Sequence, residues 1–183
     1  MEQISVAMPK VFLQPGEFFL ARDPTIISTI LGSCLGITFW SPKLRVGALC
    51  HALLPRSPQC LDKPLTAEMG RRYVDYCVSD LIRQFEDLGV KRNSTQVKLF
   101  GGGDMFPIDS SSTRLTVGRM NCDMGLDLLG AKGYHICCSN VGGTVGRKIR
   151  FNTGTGDVMV LRLTDPPVAS ADQEPDMINR RAF

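Results

Sequence analysis

Two short apolar runs on either side of a proline-containing turn constrain this chain more than any other feature. Residues 35–40 and 44–51 are both rich in β-branched, aromatic and other apolar side chains. Between them, Ser41-Pro42-Lys43 is a typical turn sequence with proline at its second position. The pattern predicts an antiparallel β-hairpin.

The register of this hairpin brings a thiol close to an imidazole. With a symmetric turn at residues 41–44, Cys34 lies directly opposite His51, and opposed residues have Cβ atoms roughly 4.5–5.5 Å apart. Alternation predicts a core face that is entirely apolar and a second face that carries Cys34 and His51. On that second face, Gly36 and Gly47 are expected to open a slot for a substrate chain.

A cysteine beside a histidine can act as a nucleophile. The imidazole can lower the thiol pKa toward a thiolate–imidazolium pair and then serve as a general base. Backbone amides of the turn at Gly32 and Ser33 are candidates to hold a developing oxyanion. From spacing alone, a pair of residues that only pack into the hairpin is the more frequent outcome.

A third polar group usually orients the base in such sites. Ser28 shares strand parity with Cys34, and Thr29 is its neighbour. Either hydroxyl could therefore take this role, and the residues alone leave the choice open.

The rest of the chain predicts a compact α+β domain. Apolar residues recur at helical spacing over residues 65–88, with Gly89 as the expected C-terminal cap, and a weaker helical pattern covers residues 117–130. Further strands are predicted at residues 97–100, 134–138, 148–151 and 158–163. We expect one domain over residues 1–163, followed by a flexible Pro- and Asp-rich tail at 164–183.

Composition excludes several classes of function. The seven cysteines are an odd number, no Cys-x-x-Cys spacing occurs, and the N-terminus lacks a secretory signal. We therefore expect reduced thiols, no metal site and a cytoplasmic location. The net charge of +3 is not clustered, and no apolar stretch is long enough to span a membrane, so neither nucleic acid nor membrane insertion is expected. The glycine loops at 101–104 and 142–148 match no nucleotide-binding motif, and no cofactor is predicted.

Several motifs in order along the chain resemble the CheD family of chemoreceptor glutamine deamidases. Leu31-Gly32-Ser33-Cys34 and His51-Ala52-Leu53-Leu54-Pro55 are similar to the segments around the family's cysteine and histidine. The other similar segments are Arg72-Tyr73-Val74-Asp75, Gly102-Gly103-Asp104-Met105-Phe106, Gly118-Arg119-Met120-Asn121, residues 140–148 and residues 153–156.

The resemblance implies a fold, an activity and partners. The implied fold is a layered α/β/β sandwich with mixed sheets and two main helices, similar to the deamidating domain of cytotoxic necrotizing factor toxins. The implied activity is hydrolysis of glutamine side chains in methyl-accepting chemotaxis receptors, through a thioester. In the family, the nucleophile and the base correspond to Cys34 and His51, and a hydroxyl six positions before the cysteine corresponds to Ser28, with Thr29 next to it. Some family members also bind a CheC-type phosphatase.

Two other functions remain open at this stage. The domain could be a regulatory binding module of the chemotaxis system with little activity of its own. It could also be another kind of cysteine hydrolase, such as a peptidase or a transglutaminase-like enzyme.

Overall fold

The computed structural model describes residues 7–58, 64–105 and 115–163. Within these ranges the chain forms nine strands and three α-helices, and a 3₁₀ turn at Arg92–Ser94 precedes β6. In chain order the elements are β1 (Lys10–Phe12), β2 (Phe18–Ala21), β3 (Ile26–Leu31), β4 (Leu35–Ser41), β5 (Val46–Ala52), α1 (Ala67–Gly70), α2 (Val74–Asp87), β6 (Gln96–Gly101), α3 (Val117–Ala131), β7 (Ile136–Val141), β8 (Gly146–Asn152) and β9 (Val158–Leu163).

The strands form two mixed sheets. The five-stranded sheet has the order β2-β5-β4-β6-β7, and only its β6–β7 pair is parallel. The four-stranded sheet has the order β1-β3-β8-β9, and only its β1–β3 pair is parallel. The predicted α+β class is therefore confirmed.

Two hydrophobic clusters cover the two faces of the five-stranded sheet. On one face, apolar residues of β4 and β5 pack against α2 and α3, with Phe39, Phe85 and Leu129 fully buried. On the other face, Leu49 and Phe100 pack against residues of β3, β8 and β9 in the second sheet. Because both of its faces are covered, β5 is buried along its whole length. This arrangement accords with the expected order of helices, sheet and sheet.

The β4–β5 hairpin has the predicted faces but not the predicted register. Its last ladder pair is Ser41–Val46, so the turn occupies residues 42–45 rather than 41–44. The Arg45 N–H donates to the Ser41 carbonyl (2.8 Å), the Leu44 N–H donates to Ser41 Oγ (3.3 Å), and Arg45 adopts a left-handed φ of 54°. These contacts place the turn one residue later, so that β4 ends and β5 begins one residue later than predicted. The residue paired with any given position is therefore shifted by two, which keeps each side chain on its face.

The prediction of an open slot beside Gly36 and Gly47 is wrong. A Cβ added to Gly36 would lie 2.8 Å from Leu31 Cδ1, and one added to Gly47 would lie 2.9 Å from the Phe151 ring. The two glycines therefore allow the second sheet to approach closely, and side chains of that sheet occupy the space above them.

The helix predicted at 65–88 is interrupted. Helix α1 ends at Gly70 and α2 begins at Val74, because the intervening residues pair with a distant segment. The Arg72 carbonyl accepts from the N–H groups of Leu53 and Leu54, and the Val74 N–H donates to the Leu54 carbonyl. As predicted, Gly89 follows α2 with a positive φ of 74°.

The remaining predictions about the fold have different outcomes. The second helix, predicted at 117–130, is present as α3. The tail at 164–183 lies outside the described residues, and the extent of the domain stays a prediction. None of the described helices combines the length and the apolar character needed to cross a membrane.

Candidate active site

Cys34 lies in a tight turn between the two sheets. The turn, residues 32–34, connects Leu31 at the end of β3 with Leu35 at the start of β4. Its three carbonyl groups all accept hydrogen bonds: Gly32 from the Gly103 N–H (2.8 Å), Ser33 from the Asn121 side chain (2.9 Å) and Cys34 from the Gly102 N–H (2.7 Å). Across the described chain, none of the three amides of the turn donates to another backbone group. The carbonyl side of the turn is thus fixed, while no backbone carbonyl of the described residues accepts from its amide side.

The glycine loop after β6 is shaped to fit this turn. Gly101 has a φ of 102°, and a Cβ there would collide with the Cys34 carbonyl oxygen. The loop is held in turn by the buried guanidinium of Arg147, which donates to the carbonyls of Gly101 (2.7 Å) and Asn140 (2.6 Å). The glycines of this loop therefore allow its backbone to pack directly against the turn that carries Cys34.

His51 is buried between the sheets and hydrogen-bonded to a hydroxyl. It lies on β5 with 2% of its surface exposed, and its Nδ1 is 2.8 Å from Thr29 Oγ1 on β3. Thr29 Oγ1 also lies 2.8 Å from the Leu13 carbonyl oxygen. A carbonyl can only accept, so the single hydroxyl proton of Thr29 goes to Leu13. Nδ1 of His51 must therefore donate to Thr29, which leaves Nε2 unprotonated.

This tautomer gives His51 the form of a general base. Its Nε2 atom is buried and has no hydrogen-bond partner among the described residues. An unprotonated ring nitrogen with no other partner is free to accept a proton from a nearby thiol or water.

Burial keeps both groups uncharged at rest. Desolvation lowers the pKa of His51 to about 4, against smaller opposing effects from the Leu13 carbonyl and the charge of Glu17. Desolvation raises the pKa of the Cys34 thiol, although its own backbone N–H acts the other way. Both shifts disfavour the resting thiolate–imidazolium pair expected from the sequence and favour an uncharged thiol and an uncharged imidazole at neutral pH.

The residues predicted for the site are brought together in part. The prediction that Cys34 lies directly opposite His51 is wrong: Gly36 is the ladder partner of His51, and Cys34 lies just before β4. Both residues nevertheless border the space between the sheets, because Cys34 packs on the apolar cluster there and His51 contacts Thr29 of the second sheet. The thiol–imidazole hydrogen bond expected from the sequence is not formed, since His51 Nε2 has no partner among the described residues.

The two candidate hydroxyls are separated by the two faces of β3. Thr29 is fully buried and contacts His51, whereas Ser28 is half-buried and its Oγ donates to the Val11 carbonyl (3.3 Å). The signal that distinguishes them is alternation, because Ile27, Thr29 and Leu31 share the buried face of the strand.

Sequence reasoning missed two positions that support the site. Leu13 contributes a backbone carbonyl, which no side-chain pattern reveals. Asn121 is a fully buried polar residue on the apolar face of α3, and that contrast was a usable signal.

Comparison with known proteins identifies the family. Residues 53–162 match the family model of CheD, described as chemotactic sensory transduction. A probable chemoreceptor glutamine deamidase CheD 2 of Geobacter sulfurreducens is 40% identical over 156 residues, which cover 85% of this chain and 91% of the relative. The corresponding protein of Maridesulfovibrio salexigens is 41% identical over 165 residues (89% and 97%), and that of Pseudomonas savastanoi pv. phaseolicola is 33% identical over 180 residues (96% of each). The chain therefore belongs to the CheD family.

Proposed function

We propose that this protein hydrolyses the side-chain amide of specific glutamines in chemoreceptors, giving glutamate and ammonia. The relatives reported above, each described as a probable chemoreceptor glutamine deamidase, support the reaction and the substrate class. The observation that supports the mechanism is the buried chain from the Leu13 carbonyl through Thr29 to His51, which leaves one histidine nitrogen unprotonated.

In the first half of the proposed reaction, Cys34 attacks the carboxamide carbon. The thiol proton passes to His51 Nε2 as the sulfur–carbon bond forms, since neither group is charged beforehand. The free amides of the turn at Gly32 and Ser33 hold the oxyanion of the tetrahedral intermediate. His51 then returns the proton to the amide nitrogen, the carbon–nitrogen bond breaks, and ammonia leaves a thioester on Cys34.

In the second half, water takes the place of the amine. His51 removes a proton from a water molecule, whose oxygen attacks the thioester carbonyl. The carbon–sulfur bond breaks, Cys34 recovers the proton from His51, and the glutamate side chain is released. Thr29 holds the imidazole in one tautomer and stabilises its positive charge during both halves.

The test is incubation of the full chain with the cytoplasmic fragment of a chemoreceptor, followed by mass spectrometry of its peptides. Wild type is expected to convert particular glutamines to glutamate, and Cys34→Ala to convert none. Peptide cleavage or amine incorporation in place of this conversion would contradict the proposal and favour another cysteine hydrolase. Binding of the fragment without conversion would favour a regulatory module.

Two finer points rest on the family resemblance alone. We infer a structural relationship to the deamidating domain of cytotoxic necrotizing factor toxins, and binding of a CheC-type phosphatase as a second partner. Co-purification of the full chain with such a phosphatase tests the second point.

A further inference from the structure

The side chain of Asn121, in helix α3, forms hydrogen bonds with the backbone on both sides of the candidate site. Asn121 lies in α3, on a face that otherwise buries Gly118, Cys122, Gly125 and Leu129. It is fully buried. A fully buried amide among apolar and small residues is costly, and the Oδ1 of Asn121 has no partner among the described residues. The two bonds made by its NH₂ group therefore indicate why the residue is there.

The Asn121 amide joins two chain segments that the sheet leaves apart. Its Nδ2 donates to the carbonyl of Ser33 and to the carbonyl of Leu53, both at 2.9 Å. Because carbonyls only accept, both protons of the NH₂ group are used, and the orientation of the amide follows from its partners. Ser33 immediately precedes Cys34, and Leu53 follows His51 by two residues.

These two carbonyls lie where the hairpin ladder ends. The last pair at this end is Leu35–Ala52. Beyond it the strands separate, which lets Cys34 leave the sheet and enter its turn. The Leu53 N–H is already bonded to Arg72, so the backbone itself does not connect the separated ends. Among the described residues, Asn121 alone bonds through its side chain to both the turn at 32–34 and the segment at 51–54.

We propose that Asn121 is a positioning residue whose side-chain amide ties the turn carrying Cys34 to the end of the strand carrying His51, and so fixes the distance between nucleophile and base. This inference rests on the proposed function, because it assigns Asn121 a role in that same reaction. It concerns geometry rather than direct chemistry, since Asn121 acts through the backbone. Misplacement of reacting groups by about 1 Å can cost on the order of 100-fold in rate.

The main variant is Asn121→Leu, which keeps the bulk of the side chain and removes both donors. The matched control is Leu129→Ala, a core truncation eight residues further along the same helix. Asn121→Leu is expected to lower kcat for receptor-fragment deamidation about 100-fold with KM changed less than about twofold. Leu129→Ala is expected to lower the melting temperature at least as much while kcat stays within about twofold, measured well below that temperature.

A second readout does not require deamidase activity. Iodoacetamide alkylation of Cys34 is followed by mass spectrometry at neutral pH, with the exposed Cys137 in the same sample as the internal standard. Asn121→Leu and His51→Ala should each lower the Cys34:Cys137 rate ratio. In the double variant, Asn121→Leu should add no further loss, because the positioning of an absent base has no effect. A residue with only a structural role would lower the ratio again in the His51→Ala background.

A conservative variant keeps the test decisive if Asn121→Leu does not fold. Asn121→Asp retains the shape, but its carboxylate faces two carbonyl oxygens, and only its protonated form can donate to one of them. Its kcat relative to wild type should therefore rise as the pH is lowered.

Three results would overturn the inference: kcat within threefold of wild type in Asn121→Leu, an equal loss in Leu129→Ala, or an additive loss in the alkylation cycle. For Asn121→Asp, a kcat ratio to wild type that does not change with pH would have the same effect. If wild type converts no glutamine while the alkylation cycle behaves as expected, the proposed reaction fails but the positioning role does not.

Discussion

Replacing Thr29 with valine removes the hydroxyl that links the Leu13 carbonyl to His51. Valine has nearly the same shape as threonine, so the buried packing on β3 is kept and only the hydroxyl is lost. The 2.8 Å contact between Thr29 Oγ1 and His51 Nδ1 disappears. The Nδ1–H group then loses its hydroxyl acceptor and the Leu13 carbonyl loses its donor. The imidazole is therefore held less firmly in this tautomer, and the other tautomer, with the proton on Nε2, becomes accessible.

The size of the effect follows from the charge that the imidazole acquires. When His51 takes the thiol proton, the hydrogen bond from Nδ1 comes from a charged donor, and such bonds contribute about 1.5–3 kcal/mol. Loss of that amount from the transition state lowers kcat by about 10- to 150-fold. Thr29→Ser keeps the hydroxyl and is expected to stay within about fivefold of wild type, an allowance of about 1 kcal/mol for lost packing.

The assay is the rate of ammonia release from a receptor fragment, measured at saturating substrate for Thr29→Val, Thr29→Ser and Ser28→Ala. Ser28 is the matched control, since it neighbours Thr29 but bonds to the Val11 carbonyl instead. Ser28→Ala should change kcat less than about twofold, as a substitution outside the buried network. The reasoning is refuted if Thr29→Val stays within threefold of wild type, or if Ser28→Ala loses as much as Thr29→Val.

Three further predictions concern charge and backbone. The pKa of His51 falls from 6.5 to about 4 on folding, so between these pH values the unfolded chain binds more protons than the folded chain. The free energy of unfolding should therefore decrease as the pH falls through this range, by up to about 3 kcal/mol. Chemical denaturation should show this decrease in wild type but not in His51→Gln, and an equal pH dependence in the two proteins would contradict the prediction. Since burial raises the Cys34 pKa, ultraviolet spectra of wild type and Cys34→Ser should show no thiolate difference at neutral pH, and an extra wild-type band that vanishes on acidification would argue for a resting ion pair. Gly101→Ala should lower the free energy of unfolding by at least about 2 kcal/mol, because Gly101 has a positive φ and an added Cβ would collide with the Cys34 carbonyl. Gly130→Ala should raise it by about 0.5–1 kcal/mol, because Gly130 lies in helix α3 with open space around it. Equal effects of the two substitutions in denaturant titrations would contradict this interpretation of the loop.

The sequence predicted which faces of the hairpin are buried, but not the pairing of individual residues. Alternation of apolar residues determines faces, and this holds for any shift of two residues. The register depends on the turn, where Ser41 Oγ and a left-handed Arg45 place the turn one residue later. Neither contact leaves a pattern in the sequence, since arginine is not a usual residue at positive φ.

Local pattern in the sequence brought Cys34 and His51 together as candidates, whereas contacts between separate segments left no such pattern. Cys34 and His51 belong to one hairpin and could be found together. The interruption between α1 and α2 arises from pairing with Leu53 and Leu54, far away in the sequence. Asn121 is 88 residues from its partner Ser33. Such contacts depend on how the layers pack, which periodicity along one segment does not specify.

The base and its orienting hydroxyl belong to different sheets, His51 to the five-stranded and Thr29 to the four-stranded one. The hydrogen bond between them therefore joins the two sheets, and its length and angle depend on how the sheets pack against each other. A sliding of one sheet over the other by a fraction of a hydrogen-bond length would leave every strand intact and still misdirect the imidazole. In this architecture the inter-sheet core holds the proposed base in place, so substitutions deep within it, at Leu49 or Phe151 for example, are expected to change the orientation of His51 as well as the stability of the protein.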